Sequence, residues 1–495
     1  MELNSVKEMV GATASPETAA ASGPEVVVVG AGPCGLALAC DLVRRGVRVL
    51  VAERAPGLFP GSRGKGIQPR TREVLDDLGV GDAVREHGGP APVGMIWKDG
   101  ERLREHDMFR RAAPTGTEPY GEPWLMPQWR TQEILLARLR ELGGDVAFST
   151  ALTGLDQDAD GVTAHLTTGP VRAAFLVAAD GGRSTVRRAL GIAMTGEDVD
   201  PAPMLVADVR VAEDALDRLN WHMTTGEQGF LTLCPLPGTA DFQLAARFEE
   251  GEPDTSPEGV RALVAARTHL AARDVTEVLW ASDFRPRAAL ADRFRAGRVL
   301  LAGDAAHVHS PAGGQGLNTG VQDAYNLGWK LGQVLRHGAP DALLDSYEQE
   351  RRPVAADVLG LSTRIHRGEQ ERGAEVQQLG LGYRTGPLSV GRAGVLHSGD
   401  RAPDGPTGGG RRLFDVFRGP HFTLLAVGAG TGLPVLPLPD GGPLRTHRTG
   451  AHEAYGEGLF LVRPDGYIGW AGEDPSELVR YLARFGIAPV TVTAS

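Results

Sequence analysis

The sequence contains only three cysteines among its 495 residues, Cys34, Cys40 and Cys234. Three thiols are too few for a disulfide framework, and their separation in the chain matches no zinc-binding spacing. We therefore predict neither a disulfide scaffold nor a metal site. We interpret Cys34 and Cys40 as small packing residues on a helix.

Long apolar runs and basic runs are also missing. No stretch of about 18 consecutive apolar residues occurs, so the sequence predicts no membrane-spanning helix and no membrane partner. Residues 1–23 lack the basic start and apolar centre of a secretory signal, so we expect a disordered tail on a cytoplasmic protein. A net charge of -11 and a pI near 5.7 argue against nucleic acid as a partner.

Glycine, by contrast, is abundant, and the first glycine motif follows a valine-rich strand. The run GAGPCG occupies residues 30–35, and an apolar helix face and a second strand at residues 47–52 come after it. Glu53 closes that strand, 18 residues after Gly35. This is the dinucleotide-binding fingerprint, in which the helix start receives a pyrophosphate and the acid binds ribose hydroxyls. The motif does not choose between FAD and a nicotinamide dinucleotide.

The most informative stretch runs from an apolar strand at residues 298–302 into Gly303 and Asp304, and then through a glycine-rich turn into a helix. Apolar residues from Leu317 to Val334 recur every three or four positions, which predicts one buried helical face. The glycines let the backbone approach a flat ligand, and the helix start favours an anion. Asp304 can accept hydrogen bonds from a polyol. This combination suits a flavin; the alternative is a strand, turn and helix whose glycines serve packing alone.

A third strand, at residues 175–179, ends in Asp180 and Gly181, with Arg183 close behind at the next helix start. Three strand tips of this kind predict one ligand crevice at the carboxyl ends of a parallel sheet. The basic turn at residues 62–66 and the helix start at Gln128 could also contact the ligand. A solvated loop and a surface cap are the respective alternatives.

Residues 198–292 lack glycine fingerprints, and their strand-like pieces predict an antiparallel sheet that covers the crevice. Trp221, His222 and Phe230 could line an aromatic substrate pocket there, although large aromatics are more often plain core. Farther on, we expect one helix stopped by Pro353 and a second at residues 354–367. The terminal segment is long enough for a small α/β domain. It contains no cysteine, so it cannot perform thiol–disulfide chemistry.

Together these motifs make the chain resemble the single-component (class A) FAD-dependent aromatic monooxygenases of the para-hydroxybenzoate hydroxylase fold. The resemblance covers residues 25–495 and is strongest to the phenol hydroxylase and aromatic polyketide hydroxylase branch. It implies an α/β fold with a Rossmann-like FAD-binding domain, an antiparallel-sheet substrate domain and a C-terminal thioredoxin-like domain without redox cysteines. The expected segments are a tail (1–23), three FAD-binding parts (24–90, 128–197 and 293–372), a substrate-domain insertion (91–127), the substrate sheet (198–292), a connector (373–399) and the terminal domain (400–495).

The resemblance also implies where the cofactor is held. In this family the Arg of the Ser-Arg-Gly turn contacts the cofactor and helps the flavin change position, and the Gly-Asp motif binds the ribitol. Because the flavin carries the chemistry, Pro311 and Asn318 near its ring are the only candidates for a direct catalytic role. The implied cofactor-binding positions are Gly30, Gly32, Pro33, Cys34, Gly35, Glu53, Arg54, Arg63, Gly64, Gln128, Asp180, Gly181, Arg183, Gly303, Asp304, Pro311, Gly314, Gly316, Leu317 and Asn318.

The implied reaction hydroxylates a phenolic, polyketide-like polycyclic aromatic. NADPH or NADH docks transiently and reduces non-covalent FAD, and O2 then forms a flavin C4a-hydroperoxide that transfers one oxygen atom. The alternatives are an antibiotic-inactivating or Baeyer–Villiger-type monooxygenase, an FAD-dependent oxidase or dehydrogenase without oxygen insertion, and a non-catalytic FAD-binding protein. The substrate, the nicotinamide cofactor, any catalytic base and a homodimeric state stay open, although the family favours NADPH.

Overall fold

The computed structural model describes residues 23–487, except residues 110, 201, 227–228, 312, 408–409, 435 and 437–441. Apart from its last position, the expected disordered tail lies outside the described residues. The described helices are α1 (Pro33–Val43), α2 (Pro69–Asp77), α3 (Gly81–His87), α4 (Gln128–Glu141), α5 (Thr185–Ala189), α6 (Pro257–Arg267), α7 (Gly316–His337), α8 (Asp345–His366), α9 (Leu413–Phe417) and α10 (Pro475–Ala483). Short 3-10 helices occur at Ala272–Asp274, Gly303–Ala305, Asp341–Leu344 and Ala374–Gln377.

A six-stranded sheet carries the three predicted strand tips. Its strands follow the order Arg295–Ala296, Val299–Leu301, Phe175–Ala178, Val26–Val29, Val49–Ala52 and Val146–Ala147. All neighbours are parallel except the first pair. The valines of Val26–Val29 are all buried, as expected for a parallel strand covered on both faces. Because parallel strands end at one edge, the residues that follow them meet there.

Helix α7 is the central helix of the molecule. Residues 318–333 within it are buried without interruption. On one side α7 lies so close to the first glycine motif that a Cβ at Gly320 would sit 3.2 Å from Gly303 Cα and 3.6 Å from Cys34 Cβ. On the other side Trp329 belongs to the core of the C-terminal sheet. The helix therefore connects the cofactor edge to the terminal part of the chain.

A seven-stranded, largely antiparallel sheet forms the second layer. Its strands follow the order Val275–Phe284, Met204–Val211, Asp241–Arg247, Gly229–Pro235, Asn220–Gly226, Val93–Lys98 and Glu101–His106. Helix α6 covers the outer face, where Leu205, Leu233 and Val264 share one core cluster. The inner face is the side from which Lys65 contacts Trp221. The two strands from the expected insertion at 91–127 thus join the middle sheet.

The remaining sheets are smaller or terminal. The C-terminal sheet has the order Leu396–His397, Val390–Ala393, Ile468–Gly472, Gly458–Val462, Phe422–Val427 and Leu444–Thr449. Its first two strands lie within the expected connector, which the sequence did not show as sheet. Three-stranded sheets contain Gly169–Ala173, Val162–Leu166 and Leu152–Gln157; Met194–Asp198, Arg287–Ala291 and His307–Val308; and Gly66–Ile67, Trp124–Leu125 and Gly89–Pro90.

Helix α8 corrects one expectation. It runs unbroken through Pro353, where the sequence predicted a stop. The proline ring is exposed, while Tyr347, Val354 and Val358 on the opposite face are buried. Packing of that face outweighs the hydrogen bond that a proline removes. None of the helices in the described ranges combines the length and apolarity needed to cross a bilayer.

Candidate functional site

The three predicted strand tips meet at one edge of the parallel sheet. Phe175–Ala178 pairs with Val26–Val29 on one side and with Val299–Leu301 on the other. The tips are in close contact, because a Cβ at Gly30 would lie 2.4 Å from the Ala179 carbonyl oxygen. Gly30 also has a φ of 106°, which favours glycine.

In the first glycine turn, Gly35 is tightly packed, whereas Gly32 faces open space. A Cβ at Gly35 would lie 2.0 Å from the Gly30 carbonyl oxygen, so this glycine allows α1 to pack on the turn. A Cβ at Gly32 would meet nothing within 4 Å. Gly32 caps α1, Pro33 follows it, and the first turn of the helix contains no acidic residue. An open, positively polarised helix start is the arrangement that binds a pyrophosphate.

Glu53 lies against this turn, at the end of the second strand. Its Oε2 accepts a hydrogen bond from Ala31 N at 2.9 Å, and its Oε1 accepts one from Ala55 N at 2.9 Å. Each carboxylate oxygen can accept a further bond, so two hydroxyl donors could still be held. Arg54, next in the chain, is exposed.

The strand tip at Gly303 and Asp304 is held in place by a buried ionic network. Gly303 N donates to Asp323 Oδ2 at 3.1 Å, and the same carboxylate accepts from His307 Nε2 at 2.5 Å and from Arg351 Nε at 2.7 Å. These three side chains are fully buried. They fix the backbone that presents Asp304, and sequence reasoning missed them. The one local signal was an acidic residue on the apolar face of α7.

Asp304 itself is exposed on the wall of the cleft. Desolvation by the protein atoms that surround the cleft raises the pKa of its carboxyl group, while His307 and Arg63 lower that pKa. An accessible carboxylate near the Arg63 guanidinium can accept hydrogen bonds from the hydroxyls of a polyol.

The turn before α7 is shaped by glycines and by one amide. Gly313 and Gly314 have φ values of 127° and 64°. Asn318 Oδ1 accepts from Gln68 N at 2.8 Å, and its Nδ2 donates to Gly66 O at 2.9 Å and to Gly314 O at 2.7 Å. The Asn318 amide is thus used within the protein, which leaves only its backbone for a ligand. Of the other positions proposed here, Pro311 and Gly314 are exposed, and Gly316 and Leu317 are partly buried.

The basic turn at residues 62–66 bridges the cofactor edge and the middle sheet. Gly64 N donates to Gln128 Oε1 at 3.1 Å. The Arg63 guanidinium lies over Phe59, 5.1 Å from the ring centroid, and Nη2 is 3.3 Å from Ser282 Oγ. Burial lowers the pKa of Arg63, and Asp304 counteracts that shift.

The strand tip at Asp180 serves mainly to cap the helix α5. Asp180 Oδ2 accepts hydrogen bonds from the backbone of Thr185 at 2.7 Å and Val186 at 3.2 Å. Its Oδ1 is buried without a hydrogen-bond partner in the described part of the chain. Gly181 has a φ of 81°, and Arg183 is exposed. Arg183 is therefore accessible to a ligand, and Oδ1 of the partly buried Asp180 remains an unused acceptor.

The aromatic pocket expected from Trp221, His222 and Phe230 needs correction. Trp221 and His222 are neighbours in a strand, so they lie on opposite faces. His222 is buried on the outer face, where Nδ1 accepts from Trp97 Nε1 at 3.0 Å and Nε2 donates to Asp217 O at 2.9 Å. It is a satisfied core residue. Trp221 faces inward, with Lys65 Nζ 4.2 Å from its ring centroid.

Phe230 lies on the same inner face as Trp221, on the neighbouring strand, where it pairs with Thr225. It lines a cavity of about 480 Å³, whose walls are Val199, Asp200, Met204, Phe230, Arg247 and His366. This volume falls within the range of small-molecule sites. The cavity and Trp221 are therefore separate parts of the inner face.

The described residues fit an FAD molecule. The acceptors on Glu53, the space above Gly32 and the accessible Asp304 follow one another along the sheet edge. The start of α7 then offers backbone N–H groups, with no acidic residue in its first turn. In the same order, a ribose, a phosphate, a ribitol and an electron-rich ring are the groups that this series could receive.

Known proteins resemble the chain over nearly its whole length. The FAD binding domain family matches residues 24–362, and the aromatic-ring hydroxylase C-terminal family matches residues 397–488. A flavin-dependent monooxygenase of Mycobacteroides abscessus is 45% identical over 487 residues, covering 93% of this chain and 99% of that protein. The rifampicin monooxygenase of Streptomyces venezuelae is 34% identical over 492 residues, covering 94% and 99%.

A solved structure agrees with these relatives. OxyS anhydrotetracycline hydroxylase from Streptomyces rimosus matches with a TM-score of 0.75 and 33% identity, covering 94% of this chain and 99% of that one. The fold is thus the mixed α/β fold of FAD-dependent aromatic hydroxylases. From the sheet edge, the family matches and these relatives together, the chain belongs to the FAD-dependent aromatic-ring hydroxylases and is a flavin monooxygenase.

Proposed function

We propose that this monooxygenase takes hydride from NADPH or NADH and uses O2 to hydroxylate a phenolic polycyclic aromatic. The observation that supports it most is the meeting of three strand tips at an edge with an open helix start and an accessible carboxylate. Two relatives are named for actions on large oxygenated aromatics, anhydrotetracycline and rifampicin. A planar substrate of that class would lie between this edge and the inner face of the middle sheet.

In this proposal each part of the sheet edge has one task. The start of α1 at Gly32 binds the pyrophosphate, Glu53 binds the adenosine ribose, and Asp304 binds the ribitol. The backbone at Gly316 and Leu317 holds the flavin ring. FAD, once bound, supplies the redox and oxygen chemistry; the protein orients the reactants and keeps water out.

The position-by-position assignments are part of the same proposal. We assign Arg63, Gln128 and Arg183 to the rim of the cofactor site. The remaining positions implied by the resemblance shape the three turns. We also propose the thioredoxin-like character of the terminal domain, the expected domain boundaries and a cytoplasmic location.

A second candidate function is oxidation of an antibiotic as a resistance mechanism. The 34% identity to a rifampicin monooxygenase over 492 residues favours considering it. The chemistry at the flavin would be shared, and only the fate of the product would differ.

Turnover under heavy-isotope dioxygen tests the proposed reaction. A panel of hydroxylated polycycles, with rifampicin included, is incubated with NADPH, and each product is weighed by mass spectrometry. We expect one labelled oxygen atom to replace an aromatic hydrogen. Labelled rifampicin alone would favour the second candidate, and NADPH consumption without label in any product would contradict both.

Asp304→Ala is the matched variant for this assay, with the exposed Asp160→Ala as control. Loss of the ribitol acceptor should leave Asp304→Ala folded but largely free of flavin, while Asp160→Ala stays yellow and active. A yellow, active Asp304→Ala enzyme would refute the assignment of that residue.

A further inference from the structure

The cavity at the Phe230 end of the middle sheet has two unlike walls. Val199, Met204 and Phe230 form an apolar side. Phe230 is 38% exposed, one of the few large apolar side chains of the described chain that reach the surface. An open aromatic face beside aliphatic side chains is a surface on which a flat ring can stack.

The opposite wall is polar, and its Arg247 is shared between two carboxylates, Asp200 and Glu249. Arg247 binds Asp200 through two bonds, Nε to Oδ2 at 2.6 Å and Nη2 to Oδ1 at 3.1 Å. Ala202 N donates to the same carboxylate at 3.0 Å. The pKa of Asp200 is therefore lowered to about 2, chiefly by Arg247, and the group stays ionised. Asp200 is already paired with Arg247 and with a backbone N–H group, so it needs no additional cation as a partner.

His366 completes the polar wall. Its Nδ1 lies 2.8 Å from Ser310 Oγ, and its Nε2 lies 3.5 Å from Asp200 Oδ2. An ionised carboxylate can only accept, so Nε2 carries a proton that points toward Asp200. A separation of 3.5 Å is the outer limit of a hydrogen bond. The Nε2–H group is thus a weakly used donor on the cavity wall.

The same histidine connects the cavity to the cofactor edge. Ser310 directly precedes Pro311, the first residue of the turn that leads into α7. His366 is the last residue of α8. A ligand in the cavity would therefore sit beside the turn that we assign to the flavin ring, without occupying that turn.

We propose that this cavity binds the oxygenated ring of the substrate that lies away from the reacting carbon. Phe230 stacks on that ring, and His366 Nε2 donates a hydrogen bond to its carbonyl or phenolate oxygen. The inference rests on the proposed hydroxylation of a polycyclic phenol and adds the residues that select it. His366 is a specificity-determining residue in this account and transfers no proton.

Equilibrium binding to FAD-loaded protein tests the proposal without turnover. Alizarin, a dihydroxyanthraquinone whose visible band reports its hydrogen bonding, is titrated beside anthracene, which has no oxygen. His366→Ala should weaken alizarin binding about tenfold and leave anthracene unchanged, because one hydrogen bond is lost. Phe230→Ala should weaken both ligands.

Two further variants separate a specific role from a structural one. His366→Gln keeps an amide donor and should recover part of the affinity and of the alizarin band shift. His165→Ala, at a partly exposed histidine on a different sheet, should match the wild type. Retained FAD content and melting temperature show that each variant is folded.

The outcomes also separate this inference from the proposed function. Unchanged alizarin affinity in both His366→Ala and Phe230→Ala, or no saturable binding to the wild type, would overturn the subsite even if oxygen insertion is observed. His366-dependent alizarin binding without oxygen insertion into any phenol would keep the subsite and remove the hydroxylation.

Discussion

At the scale of single residues, glycines shape the strand tips, and buried side chains from separate segments fix the tip at Gly303. The roles of Gly30 and Gly35 could be foreseen, because tight turns with positive φ or close contact need glycine wherever they occur. The partners of Asp323 could not, since His307 and Arg351 reach it from other segments. Likewise, strand alternation separates Trp221 from His222, and alternation only assigns faces once the strand is known.

Asp208, on the inner face of the middle sheet, is a buried carboxyl group whose effect on stability can be tested. Both of its carboxylate oxygens are buried without a hydrogen-bond partner in the described part of the chain. Burial raises the pKa of Asp208 to about 6, although Ser62 and Lys65 act against it. A raised carboxyl pKa means that the folded state binds the proton more tightly than the unfolded state. The contribution of Asp208 to stability is therefore fully present below the carboxyl pKa of the unfolded chain and is lost as pH rises through about 6.

Asp208→Asn removes this titration. The free energy of unfolding of the variant, taken relative to that of the wild type, should rise by about 2 kcal/mol from about pH 4.5 to about pH 8. Thermal unfolding at the two pH values measures the gain. An equal difference between the two proteins at both pH values would show that Asp208 does not titrate as described.

At the scale of elements, local patterns located most strands and the helix α7. They failed at Pro353, because a local rule for ending helices competes with the burial of a long apolar face. They also missed the strands Val390–Ala393 and Leu396–His397, which are short and become strands by pairing with each other and with Ile468–Gly472. Elements defined by distant partners leave little trace in their own sequence.

Pro353→Ala tests how much the internal proline destabilises α8. The position is exposed and lies in the helix interior, so the substitution restores a backbone N–H and removes a steric clash without creating a cavity. The unfolded chain gains entropy, which offsets part of the benefit. We expect a net stabilisation of about 1–2 kcal/mol, seen as a higher melting temperature. A lower melting temperature would mean that the proline supports a bend that α8 needs.

At the scale of the whole molecule, a buried ionic cluster joins α7, α8 and the C-terminal sheet. Arg463 binds Glu350 on α8 at 2.6 and 2.9 Å and Asp465 beside it, and Lys330 on α7 reaches Glu350 at 2.8 Å. Burial would raise the pKa of Glu350, but Arg463 and Lys330 outweigh it and bring the pKa to about 2. The terminal part of the chain is therefore held to the cofactor-bearing helices by charge as well as by apolar packing.

Arg463→Met should be strongly destabilising. It leaves two carboxylates against one lysine in a site without solvent, and breaking such a cluster costs about 3–5 kcal/mol. Arg480→Met, at an exposed position on α10, should stay within about 0.5 kcal/mol of the wild type. Differential scanning calorimetry distinguishes the two. Equal melting temperatures for both variants would show that the cluster does not hold the terminal part in place.

In the cofactor site that we propose, FAD lies across the strand tips with its pyrophosphate above Gly32. A direct measurement is the flavin content of purified Gly32→Val beside Gly450→Val, because a Cβ at either position meets nothing within 4 Å of protein. We predict two folded proteins with the same melting behaviour, of which only Gly450→Val carries FAD, since the valine at position 32 fills the space of the phosphates. A Gly32→Val protein with a full complement of FAD would contradict the account.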